Sequence, residues 1–159
     1  MYQVLPIILV LGVVAISFVM RGKVRGKTTE MYANALSSLQ ADVANGRRPD
    51  EQQPIIFTAV ERKMLSAKLY YVALSNRRMI IKRAGGDTQT FDRSAVQLSI
   101  RAKTFADVGN MQTTYSSGWE LSVALPDHTN HKWRVYEQAE GIPDHAASVR
   151  SLITTLGAA

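Results

Sequence analysis

The chain has 159 residues, carries 19 Lys and Arg against 13 Asp and Glu for a net charge of +6, and contains no cysteine. The lack of cysteine excludes disulfides and thiolate metal sites and agrees with a reducing compartment. A basic balance points to nucleic acid or to an anionic membrane surface, and the first stretch of the chain selects between the two.

Residues 2–20 (YQVLPIILVLGVVAISFVM) are 19 consecutive uncharged positions dominated by Val, Leu and Ile. As a helix they would run roughly 28 Å, about the thickness of the hydrocarbon core of a bilayer. The run ends in Arg21, Lys23, Arg25 and Lys27, a polybasic flank of the kind that contacts the membrane surface and keeps its end of a span on the cytoplasmic side. A secretory signal would place positive charge before the apolar run and small residues after it, whereas this run leads into Phe18, Val19 and Met20. A helix apolar on every face inside a soluble domain would need wrapping on all sides, for which the rest of the chain is short. The expectation is a transmembrane helix over residues 1–20 and a basic juxtamembrane segment over 21–28. The remainder would then lie on the cytoplasmic side of the cell membrane, with anionic lipid, not nucleic acid, as the partner of its cations.

Thr28 or Thr29 can cap the next helix, with Glu30 in its first turn where the helix dipole favours an acid. Tyr32, Leu36, Leu39 and Val43 then draw one apolar stripe that ends at Gly46. Asn34, Ser37, Ser38 and Gln40 occupy the other face, so this helix should lie against the domain that follows. Residues 47–53, with Pro49 among them, read as a polar linker with a proline stop, so that 29–53 are helix plus linker and 54–159 a separate domain.

From Pro54 the period changes to two. Strands are expected over 55–62, 68–75, 78–83, 88–92 and 96–101, with a tight turn at Asn76 and Arg77 and another at Gly85, Gly86 and Asp87. Residues 103–117 read as a long loop with a strand fragment at 112–115. A sixth strand follows from the alternation of Trp119, Leu121, Val123 and Leu125, and a seventh over 132–137 with Trp133 and Val135 inward. Gly141 and Pro143 open a last helix, whose Val149, Leu152, Ile153 and Leu156 share one face and whose stop is Gly157. The expected fold is α+β and mainly β: a seven-stranded antiparallel bent sandwich or partly open barrel capped by a C-terminal helix.

This order of elements resembles the pleckstrin-homology superfold. The run from Tyr71 through Ser75, Asn76, Arg77 and Arg78 to Ile81, resuming at Phe91 to Leu98, is similar to the bacterial pleckstrin-homology-like (PH-like) domain family. In that family an aliphatic strand is followed by Thr-Asn or a near relative, a basic residue and a second aliphatic strand. Ser75 stands where threonine is usual and Ala95 where a polar residue is common. The resemblance covers about residues 54–157 and implies a binding fold with no catalytic site or cofactor to carry over.

The stretch from Arg62 to Lys103 holds ten cations against Asp87 and Asp92. Lys63, Lys68, Arg77, Arg78, Lys82 and Arg83 are the candidate contacts to lipid or to a protein partner, the alternative being cations spread over solvated strand faces. Lys63 and Lys68 flank the first hairpin, where eukaryotic PH domains bind phosphoinositides. Asp127, His128 and His131 have a spacing that could hold a metal but lack a further ligand nearby, which favours a polar turn. Tyr115, Ser116, Ser117 and Gly118 lack the context of a nucleophile elbow. Tyr70 and Tyr71 point to opposite faces, leaving one exposed for a partner. The functional expectation is a non-enzymatic single-span protein whose cytoplasmic domain docks as an accessory subunit on integral membrane subunits of a larger complex. The alternative is a sensor of anionic lipid headgroups.

Overall fold

A computed structural model describes residues 29–63, 66–109, 112–139, 142 and 144–157; the apolar run, the basic segment 21–28, and Gly141 and Pro143 lie outside them. Among the described residues no helix is long and apolar enough to cross a membrane. Helix α1 covers residues 29–44. Seven strands follow: β1 (Ile55–Lys63), β2 (Ser66–Leu74), β3 (Arg78–Arg83), β4 (Thr88–Asp92), β5 (Gln97–Gly109), β6 (Gln112–Ala124) and β7 (Asn130–Val135), with α2 (His145–Leu156) last. The strands form one antiparallel open sheet in the order β4-β3-β2-β1-β7-β6-β5. Two meanders thus meet at β1 and β7, whose ladder is the single pair Val60 and Arg134.

Alternation decides which side chains go where. Phe57, Ala59, Tyr70, Val72, Leu74, Met79 and Ile81 from the first meander face Ile100, Leu121, Val123, Trp133 and Val135 from the second, and Val149 and Leu152 of α2 close this core. The in-between residues of β2 and β3, Tyr71, Ala73 and Ile80, form a second apolar layer with Ala35 and Leu39 of α1. Tyr32, Leu36 and Val43 pack at its margin, so the expected stripe of α1 does lie on the sheet. Both Tyr70 and Tyr71 are buried, one in each layer, which corrects the expectation of an exposed tyrosine.

Residues 103–117 are not a loop. β5 and β6 pair without interruption from Gln97 and Ala124 to Gly109 and Gln112. Their outer half lacks apolar alternation because it curls over the outer face of β7 with little core beneath it. Arg134 of β7 lies over the Phe105 ring at 4.5 Å, and Asp107 bonds both Arg134 (2.7 Å) and Arg62 of β1 (2.5 Å). Gly118 makes the curl sterically feasible, since a Cβ there would sit 2.9 Å from the carbonyl oxygen of Val135.

α2 is stapled to β1 by a buried histidine. His145 Nε2 accepts the Thr58 backbone N–H at 2.9 Å, so the proton of the neutral ring sits on Nδ1, which donates to the Glu137 carbonyl at 3.2 Å. Burial pushes the His145 pKa down, against the opposing pull of the Glu137 carbonyl. The unfolded chain therefore binds the proton more readily. The stabilisation is intact above the unfolded value of about 6.5 and is lost as pH falls from there toward the lower folded value. Denaturation midpoints are expected to decline over this window, well above the range where carboxylates titrate. His145→Gln should remove that decline while lowering stability at neutral pH, and a variant that keeps the same slope would show that another group is responsible.

Candidate functional site

The structure sorts the cations that composition alone lumps together. Arg77 and Arg78 lie at the β2–β3 turn and are both engaged: Arg77 pairs with Asp50, and Arg78 Nε bonds Glu51 Oε1 at 2.8 Å. Arg78 also donates to the carbonyls of Val43 (2.7 Å), Asn45 (3.0 Å) and Asp42 (3.4 Å), the open C-terminal end of α1. Arg62 is held by Asp107, and Arg101 and Lys103 share Glu120. Among the described residues, Lys63, Lys68, Lys82 and Arg83 make no ion pair.

These four lie at the opposite end of the molecule from Arg77 and Arg78. Lys68 pairs with Glu61 across the β1–β2 ladder, Lys63 with Ser66 at its last step, and Arg83 with Tyr70 at the last step of β2–β3. Lys63, Lys68 and Arg83 share the parity of the core-facing residues, so they project on the same face, beyond the point where the core ends. Lys82 projects on the other face, beside Glu30, Met31 and Asn34 in the first turns of α1. The N-terminal end of α1, where residues 1–28 join, is therefore at this same end.

Between the β3–β4 and β6–β7 turns the sheet opens into a cleft of about 380 Å³, with Tyr70, Trp133, Arg83, Gln89, Thr129 and His131 among its walls. Tyr70 stacks on Trp133 with ring centroids 5.0 Å apart, and the His131 ring lies 5.6 Å from the same indole. Glu61 ties them together, accepting the Tyr70 hydroxyl at 3.1 Å and meeting His131 Nδ1 at 3.2 Å. Burial pushes the Glu61 carboxyl up, but the bonds from His131 and Tyr70 outweigh it and hold the group below its ordinary value. Burial, then the Glu61 carboxylate, push the Tyr70 phenol up to about 12. At neutral pH the phenol is thus a fixed donor and the carboxylate a fixed acceptor, a set suited to holding the open end in shape.

His128 and His131 do not converge with Asp127. Asp127 accepts the Thr129 backbone N–H (3.0 Å) and hydroxyl (2.5 Å) within the turn, while His131 turns to Glu61. Among the described residues no three His, Asp or Glu side chains are grouped to hold a metal.

Sequence reasoning missed Asp50, Glu51 and Asp107, acids that neutralise cations on distant elements. All three stood in stretches read as linker and loop, where charge is normally solvated. No family model, curated protein or solved structure matches the chain.

Proposed function

We propose that this chain is a membrane-anchored, non-enzymatic binding module whose PH-like domain, residues 54–159, sits on the cytoplasmic face with its basic open end toward an anionic leaflet. The PH-like reading is supported by two antiparallel meanders joined through β1 and β7 and closed by a C-terminal helix. The orientation is carried by one observation: of the six candidate cations, the four that make no ion pair among the described residues, Lys63, Lys68, Lys82 and Arg83, lie at the end from which residues 1–28 depart, while Arg77 and Arg78 at the far end are neutralised. A span in residues 2–20 and the cations Arg21, Lys23, Arg25 and Lys27 would then lie on the same side as these four. Each cation close to anionic headgroups contributes about 1 kcal/mol, and the sum is screened by salt.

The test uses the fragment from residue 29 onward, which contains both apolar layers. It should sediment with phosphatidylglycerol vesicles, stay free of phosphatidylcholine vesicles, and be released by salt. Neutralising Lys63, Lys68 and Arg83 together to glutamine should weaken binding by about 3 kcal/mol, on the order of a hundredfold. Indifference to lipid charge would remove the lipid reading.

A second reading is favoured by the outer edge of β5, the last strand in the sheet order and 13 residues long. An edge of that length can accept a strand from a partner, which suits docking as an accessory subunit on an integral membrane complex. A stoichiometric partner cross-linked to β5 in intact membranes, from a protein indifferent to lipid charge, would establish this reading in place of the first.

A further inference from the structure

Three large hydrophobic side chains are exposed among the described residues: Met31 (38 %), Val108 (75 %) and Tyr115 (71 %). Their positions are not scattered. Met31 is in the first turns of α1, its sulfur 3.1 Å from where a Cβ on Gly85 in the β3–β4 turn would sit. Val108 and Tyr115 are near the end of the β5–β6 hairpin, two steps apart on its ladder and on the same face. Asp107, beside Val108, is tied to Arg62, which precedes Lys63. All three therefore lie toward the end that carries Lys63, Lys68, Lys82 and Arg83.

The hairpin end is also electrically quiet. No charged residue occurs between Asp107 and Glu120, and Asp107 itself is neutralised by Arg62 and Arg134. Its ladder is built of Thr, Tyr, Val and Gln, which satisfy their backbone bonds in the hairpin and carry no charge to desolvate. A tyrosine with an apolar body and a polar tip is suited to the headgroup boundary of a bilayer. In water the same two side chains are left without a core to join.

We propose that the end of the β5–β6 hairpin, through Val108 and Tyr115, enters the interfacial layer of an anionic bilayer, drawn there by the neighbouring cations that lack ion pairs. This rests on the membrane-anchored reading above. The occupant of the exposed apolar surface is lipid and not a second copy of the chain, because Lys63, Lys68, Lys82 and Arg83, with Arg21, Lys23, Arg25 and Lys27 of the segment that joins this end, outnumber the acids Glu30, Asp87 and Asp127 found there, an excess that repels a copy of itself and attracts an anionic leaflet. Cation attraction and apolar insertion are two signals, and stable association at a bilayer surface generally needs two.

The absence of cysteine makes the test direct. The full chain is reconstituted into nanodiscs of phosphatidylcholine, with or without phosphatidylglycerol. A single cysteine bearing an environment-sensitive fluorophore is placed by Val108→Cys, Ser94→Cys or Ile16→Cys, and the lipids carry a quencher at the upper acyl chain. Ser94 is exposed in the short turn after β4, near the β2–β3 turn at the far end. In anionic discs the label at position 108 should shift to the blue and lose intensity to the quencher, and both changes should shrink in high salt or without phosphatidylglycerol. The label at position 94 should do neither. Quenching at position 16 together with a water-like signal at position 108 would overturn this inference and leave the anchor standing. A water-like signal at position 16 would overturn the anchored reading, and this inference with it. A quenched label at 108 that ignores lipid charge and salt would overturn the role of the cations.

Discussion

Replacing Arg78 by alanine is expected to lower stability by about 3–5 kcal/mol, the usual cost of removing one partner from a buried ion pair. The Glu51 side chain is only 2 % exposed and the Arg78 side chain 16 %. Glu51 accepts Arg78 Nε at 2.8 Å, the Ser75 hydroxyl at 2.7 Å and the Arg48 backbone N–H at 3.3 Å. With arginine gone, the carboxylate stays buried without a counter-charge. The three carbonyls at the end of α1 lose their donor as well, together with a cation placed where the helix dipole favours one. Lysine should recover only part of the loss, because a point charge cannot span the carboxylate and three carbonyls at once.

The pH dependence separates this explanation from simple loss of packing. Burial pushes Glu51 up, but the bonds from Arg78, Ser75 and Arg48 and the Arg78 charge hold it net below its ordinary value. That stabilisation is present above the unfolded value of about 4.3 and is lost as pH falls through the folded one. In the alanine variant burial acts with less opposition, and protonation becomes a relief. The stability gap between the two proteins should therefore narrow when denaturation is repeated near pH 4, and Glu51→Gln combined with Arg78→Met should be more stable than Arg78→Ala alone. A gap under about 1 kcal/mol at pH 7, or one that does not change with pH, would show that Glu51 and Arg78 do not form a clamp. Since α1 connects residues 1–28 to the sheet, loosening this clamp should also, under the anchored reading proposed above, free the domain from its orientation over the membrane.

How much of this was legible in the sequence differs by element. The strands over 78–83 and 88–92 fall where expected, and so do the inward Trp133 and Val135, because each has a wet and a dry face and alternation reports that directly. The α1 stripe was legible for the same reason at a different period. The outer half of β5 and β6 was not, since a hairpin that curls over another strand need not alternate. The site was legible only as a list. Six cations between Lys63 and Arg83 look alike in sequence, and what separates Lys63, Lys68, Lys82 and Arg83 from Arg77 and Arg78 is the position of Asp50 and Glu51, brought back to the β2–β3 turn by the packing of α1. Such pairing depends on tertiary return and leaves no local periodic trace.

Trp133 should be the most sensitive position in the open end, with Trp133→Ala costing about 3–5 kcal/mol. The side chain is 1 % exposed, stands opposite Leu121 in the β6–β7 ladder, and carries the stack with Tyr70. Removing it leaves a cavity under the cluster of Tyr70, Glu61 and His131. Tyr70 would lose the surface that orients its hydroxyl toward Glu61, and with it the register of β1 and β2 that projects Lys63 and Lys68. The alanine variant is therefore expected to lose vesicle binding along with stability. Phenylalanine provides the contrast. The indole Nε1 is buried with no hydrogen-bond partner among the described residues, and an unpaired buried donor costs about 1–3 kcal/mol. Trp133→Phe keeps an aromatic face against Tyr70 and removes that donor, so the lost volume and the relieved polar group act in opposite directions. Its net cost should stay below about 1.5 kcal/mol, with binding to anionic vesicles retained. Guanidinium denaturation of the two variants, read beside their sedimentation with phosphatidylglycerol vesicles, decides the matter. If phenylalanine were as damaging as alanine, the indole N–H would have to be making a bond that the fold depends on, and the open end would be organised by that bond instead of by the aromatic stack.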